Sequence, residues 1–131
     1  MIVLDTNYLI RGLVARTQEA EQIDGWLEAG EELCTTSIAW YEFLSGPVDE
    51  EGVDIMLSVI QDRVLPFVSD TAAEAARLFN LAGRPRRLRV DAMIAATVLL
   101  TGSRLATSNA RDFRAFEPEG LSLVPTPNEP S

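Results

Sequence analysis

Asp5, Glu42, Asp91 and Asp112 stand where acidic side chains can do chemistry rather than simply keep a surface wet. Asp5 ends the apolar run Ile2-Val3-Leu4, which reads as a short buried strand, and a hydroxyl and an amide follow it in Thr6 and Asn7. Ligands of open parallel α/β sheets sit just beyond the carboxyl ends of strands. Glu42 is the only charged residue between Ile38 and Leu44, set among Trp40, Tyr41, Phe43 and Leu44, whereas a solvated helix face shows several polar positions. Asp91 opens the almost wholly apolar Val90–Leu100, and Asp112 lies in a polar segment just past a strand candidate. Each acid alone has a plain structural explanation: a helix cap, an exposed edge, a favourable contact with a helix end, a loop charge. Together they are unfavourable, because like charges repel and burial penalises the ionised form. A divalent cation relieves both penalties. Carboxylates are hard oxygen ligands suited to Mg²⁺ or Mn²⁺, and such an ion activates water and neutralises charge at a phosphate.

The residues that are missing narrow the chemistry in the same direction. There is no histidine and no lysine; all 11 basic residues are arginine. That excludes Ser-His and Cys-His nucleophile pairs, zinc sites built on histidine, the phosphate-loop lysine and a lysine Schiff base. The single cysteine, Cys34, closes no internal disulfide and has no base to activate it, which suits a buried strand residue in a reducing cytoplasm. A net charge of −9 argues against long-range attraction to nucleic acid and fits an acidic groove that holds cations or a basic protein partner. No apolar stretch reaches the ~18 residues of a membrane span, and no export leader is visible.

The elements that must position these acids alternate between strand and helix. Length suits one domain over residues 1–124, with Pro125–Ser131 as a frayed tail. Strands are expected at Ile2–Leu4, Glu32–Thr35, Arg63–Phe67 (weakened by Pro66), Ser103–Ala106 and Leu121–Val124. Between them the periodicity predicts helices over Glu19–Ala29, Ser37–Leu44 with Ser37 as its cap, Val53–Gln61, and Ala72–Ala82 capped by Ser69 or Asp70. A buried helix is expected over Val90–Leu100. This order implies a mainly parallel sheet with helices on both faces.

Four motifs in this order resemble a PIN-domain ribonuclease, in particular a VapC-type toxin of a bacterial toxin–antitoxin pair: Ile2-Val3-Leu4-Asp5-Thr6-Asn7; Ser37–Gly46 around Glu42; Asp91-Ala92-Met93-Ile94-Ala95-Ala96; and Thr107-Ser108-Asn109-Ala110-Arg111-Asp112-Phe113. The resemblance covers nearly the whole chain. It implies a three-layer α/β/α fold with a central, mainly parallel sheet of about five strands. It implies Mg²⁺ or Mn²⁺ held by Asp5, Glu42, Asp91 and Asp112, with Asn109 as an alternative for the fourth place. Thr6, Asn7, Thr107 and Asn109 match residues that support the acids or bound water. The implied activity is cleavage of RNA phosphodiester bonds to a 5′-phosphate and a 3′-hydroxyl, by a cytoplasmic homodimer that a cognate antitoxin with a basic segment restrains.

An acidic protein that holds RNA needs local positive charge. Arg84, Arg86, Arg87 and Arg89 lie just before Asp91, and arginine recognises phosphate through its planar fork; the plain alternative is a solvated loop. Arg104, Arg111 and Arg114 are weaker candidates. Tyr8, Trp40, Tyr41 and Phe43 offer base-stacking surfaces, although aromatics at this spacing more often fill a core. A haloacid-dehalogenase-like phosphatase also begins with a strand ending in Asp, but it wants a second Asp where Asn7 stands, and a lysine. A receiver domain fails for the same lysine. The rivals from another class are a non-catalytic α/β interaction module and an inactive PIN homologue that binds an antitoxin.

Overall fold

A computed structural model describes residues 1–126, so part of the expected tail, residues 127–131, lies outside the described residues. Four strands, β1 (Ile2–Leu4), β2 (Leu33–Thr36), β3 (Val64–Leu65) and β4 (Arg104–Ala106), form one sheet in the order β3-β2-β1-β4. Every pairing is parallel, with Val3 opposite both Cys34 and Leu105, and Thr36 opposite Leu65. β1 and β2 are buried along their whole length, as continuous apolar runs in a parallel sheet must be. Cys34 is among these buried residues.

Helices α1 (Thr6–Arg11) and α2 (Gln18–Glu28) link β1 to β2; α3 (Ser37–Leu44) and α4 (Glu50–Ile60) link β2 to β3. From β3 the chain runs back through α5 (Ser69–Leu81), a 3₁₀ turn at Arg86–Leu88 and α6 (Arg89–Leu100) to β4, on the far side of β1. The direction of strand addition therefore reverses at β1. With right-handed crossovers, this reversal sends α5 and α6 to the opposite face of the sheet from α1–α4. A short helix α7 (Ala110–Phe113) and a 3₁₀ segment Arg114–Glu119 follow β4.

Several sequence expectations shift in detail. The cap of α3 is Thr36, whose hydroxyl accepts from the Ala39 N–H at 3.0 Å; Ser37 is instead the first helical residue and donates to the Leu65 carbonyl at 2.8 Å. Helix α4 begins three residues early, because Asp49 accepts from the Gly52 N–H at 2.8 Å. Helix α5 is entered through Val68, with the Thr71 hydroxyl accepting the Val68 N–H, rather than through a Ser69 or Asp70 cap. Pro66 falls outside β3, which is only Val64–Leu65. The expected fifth strand, Leu121–Val124, makes a single parallel bridge between Leu123 and Leu105. Pro125 follows at once and has no N–H to extend the pairing.

Candidate acidic site at the sheet switch point

The reversal at β1 makes the carboxyl ends of β1 and β4 the switch point of the sheet, where the general rule for open α/β sheets places a ligand crevice. Asp5 lies at its floor. Its main-chain N–H donates to the Ala106 carbonyl at 2.9 Å, which ties the end of β1 to the end of β4. One carboxylate oxygen accepts from the Thr6 N–H at 2.8 Å and so caps α1; the other accepts from the Thr107 hydroxyl at 2.7 Å. The cap explanation and the site explanation are thus both realised by one side chain. Asp5 is only 6% exposed. Burial raises its pKa against the pull of the Thr107 and Thr6 hydrogen bonds, and Glu42 adds repulsion.

The other three acids come from three further elements. Glu42, on α3, is exposed and accepts from the Thr6 hydroxyl at 2.7 Å. Asp112, on α7, is half-buried, with one oxygen held by the Asn109 side-chain amide at 3.1 Å and the other 3.5 Å from the Arg87 Nε. Asp91, in the first turn of α6, is half-buried, and no hydrogen bond reaches its carboxylate among the described residues. Its pKa is pushed up to about 7, first by burial and then by the charges of Asp5, Asp112 and Glu42, with Arg87 acting the other way. The three carboxylates therefore act on the fourth across the crevice.

Of the expected supporting residues, Thr6, Thr107 and Asn109 each hold an acid, and Thr107 also accepts the Asn109 N–H at 2.9 Å. Asn7 is exposed, and no side-chain hydrogen bond of it occurs among the described residues. The arginines divide. Arg87 reaches an acid of the crevice, whereas the Arg84 Nε is turned back onto Asn80 of α5 at 2.8 Å, and Arg104 and Arg114 pair with Glu31 and Glu117. Arg86 and Arg89 flank Arg87 and are exposed. Among the aromatics, Tyr8 and Phe43 are buried in the core and Trp40 leans on Phe43, so Tyr41 alone of the set is fully presented to solvent.

Among the described residues, no three acidic or cysteine side chains stand close enough, as they are, to close around one ion. The donor set nonetheless suits a divalent cation. All four side chains offer hard carboxylate oxygens, and burial raises the pKa of both Asp5 and Asp91, a penalty on the ionised form that a bound cation would relieve.

Sequence reasoning missed a second concavity, of about 430 Å³, lined by Ile10, Leu13, Val14, Phe43, Val48 and Ile55 and edged by Asp49 and Glu51. None of the four acids lines it. Its apolar wall includes Ile10, Val14 and Ile55, all exposed, and no sequence signal marks them.

A family model described as PIN domain matches residues 2–117. No curated protein matches the chain in sequence. Solved structures of similar fold include FitAcB from Neisseria gonorrhoeae, 21% identical, covering 95% of this chain and 97% of that one with a TM-score of 0.69. A toxin-antitoxin complex from Klebsiella pneumoniae is 22% identical over 86% of this chain and 90% of that one, with a TM-score of 0.69. VapBC2 from Rickettsia felis, bound to a DNA fragment from its promoter, is 18% identical over 95% and 98%, again with a TM-score of 0.69.

Proposed function

The chain belongs to the PIN-domain family, and on that premise we propose that it is a metal-dependent endoribonuclease, the toxin of a toxin–antitoxin pair. The observation that carries this reading is Asp91: a half-buried carboxylate with no hydrogen-bond donor among the described residues, facing the charge of Asp5, Glu42 and Asp112 at a sheet switch point. An interaction module has no use for such an arrangement, since an uncompensated buried charge is a stability penalty.

Asp5 and Asp91 hold the principal ion, Mg²⁺ or Mn²⁺, and Glu42 and Asp112 complete the site directly or through water, as Mg²⁺ commonly keeps several waters. When bound, the ion supplies water of lowered pKa and neutralises charge at the scissile phosphate. Thr107 and the Thr6 N–H fix both oxygens of Asp5, the Thr6 hydroxyl orients Glu42, and Asn109 orients Asp112. Each acid but Asp91 is thus held by a hydrogen bond before any ligand arrives, the kind of outer contact that orients metal ligands. Arg86, Arg87 and Arg89 bring positive charge to the rim where the RNA backbone passes. The partners are RNA, a second copy of the chain, and an antitoxin with a basic segment. Solved relatives of this fold include toxin–antitoxin complexes, which supports the last.

The test is incubation of the purified protein with total cellular RNA, with and without Mn²⁺, and mapping of the new 5′ ends. Defined cuts carrying 5′-phosphates, present only with the ion and absent in Asp5→Asn, are the expected result. Full cleavage by Asp5→Asn overturns the site.

A further inference from the structure

Among the described residues, Arg87 pairs with Asp112 of the acidic crevice, whereas Arg11 pairs with Glu19, Arg77 with Glu74 and Glu119, Arg104 with Glu31 and Arg114 with Glu117. We propose that Arg87 positions the RNA phosphate at this site, and that its pairing with Asp112 is a resting place from which a divalent cation releases it. The inference rests on the nuclease reading and assigns a role within it.

Three observations carry it. The contact is loose: the Arg87 Nε lies 3.5 Å from the Asp112 carboxylate, with the arginine side chain 68% exposed, so the pair is a weak one that solvent competes for. The backbone beneath it is anchored. Arg87 is the middle residue of the Arg86–Leu88 turn, whose Leu88 is buried and whose Arg86 carbonyl accepts from the Arg89 N–H. The base of the side chain is fixed while its head is free to swing. Finally, Asp112 does not depend on Arg87 for its aim, because the Asn109 amide holds its other oxygen at 3.1 Å. With Asp112 bound to a cation, the guanidinium would be left without its partner at the mouth of the crevice. There its planar fork matches two oxygens of a phosphate. Arg84 is committed to Asn80, and among the described residues neither Arg86 nor Arg89 pairs with an acid of the crevice.

Removing Arg87 therefore has two effects of opposite sign, which a merely structural ion pair does not produce. By titration calorimetry without RNA, Arg87→Ala binds Mn²⁺ about two- to fivefold more tightly than the wild type, since a competing charge is gone. In cleavage assays with Mn²⁺, the same variant has a KM for RNA raised about tenfold, with kcat less affected. Its plot of log(1/KM) against log salt is shallower by about 0.7, the loss of one phosphate contact on a single strand. Arg87→Lys, which keeps the charge but not the fork, retains wild-type Mn²⁺ affinity and recovers KM only in part. If the wild type cleaves with Mn²⁺ and Arg87→Ala matches it in both Mn²⁺ affinity and KM, the role of Arg87 is overturned and the nuclease reading stands. If the wild type neither binds Mn²⁺ nor cleaves RNA, both fall together.

Discussion

Glu19 and Asp5 are almost equally buried, 7% and 6% exposed, yet the fold treats them in opposite ways. Glu19, on α2, faces the Arg11 guanidinium from the end of α1, with the Nε 3.0 Å and 3.3 Å from its two oxygens. Asp5 has only neutral donors, a main-chain N–H and a hydroxyl, and its neighbours across the crevice are other acids. Among the described residues no arginine pairs with Asp5, and Arg87 reaches the neighbouring Asp112 only at 3.5 Å with its side chain 68% exposed.

Asp91→Asn breaks the contrast at its sharpest point. With one ligand gone, Mn²⁺-dependent cleavage falls by more than about a hundredfold. The same change stabilises the metal-free protein, which thermal melts in a chelator will register. Because the folded protein holds the Asp91 proton more tightly than the unfolded chain does, the stability linked to that proton is complete below about pH 4. It is lost as pH rises through about 7. The wild type without metal therefore melts lower at pH 8 than at pH 5, and Asp91→Asn flattens that slope. Added Mn²⁺ raises the melting temperature more at pH 8 than at pH 6, since protons no longer compete for the site.

Thr107→Val touches the same floor more gently. It removes the hydroxyl that holds one Asp5 oxygen, and cleavage drops about tenfold in single-turnover rates while the fold persists. The smallest effect belongs to the other region. Arg11→Ala leaves Glu19 buried without its cation, but Arg11 is half-exposed, so the loss is about 1 kcal/mol, a fall of roughly 3–6 °C in melting temperature. Its cleavage rate is unchanged at a temperature where both proteins are folded.

The acids were legible from their contexts, because a carboxylate that follows an apolar strand or interrupts an apolar helix breaks a pattern that burial would otherwise enforce. Asp112 was the least legible, since α7 is a single turn, too short for periodicity to reveal. Its tie to Asn109 appears only once that turn has formed. Capping misled at Thr35-Thr36-Ser37, where three hydroxyls compete. Long-range contacts decide among them: the Thr35 hydroxyl is taken by the Leu4 carbonyl at 2.7 Å and that of Ser37 by Leu65, which leaves Thr36 for the helix. Arg87 was one of four equivalent arginines in sequence, because the turn that separates them depends on Leu88 finding the core. The apolar concavity was invisible for a related reason: exposure of Ile10, Val14 and Ile55 is a property of packing, not of spacing.

The hydrogen bond from Thr107 to Asp5 spans 102 positions of the chain. β1 emerges first from the ribosome but receives its neighbour β4 last. During translation Asp5 therefore has the N–H of its neighbour Thr6 early, while the Thr107 hydroxyl that holds its other oxygen arrives only after β4. A chain cut before β4 lacks both the Ala106 carbonyl that takes the Asp5 N–H and the Thr107 hydroxyl that holds its carboxylate.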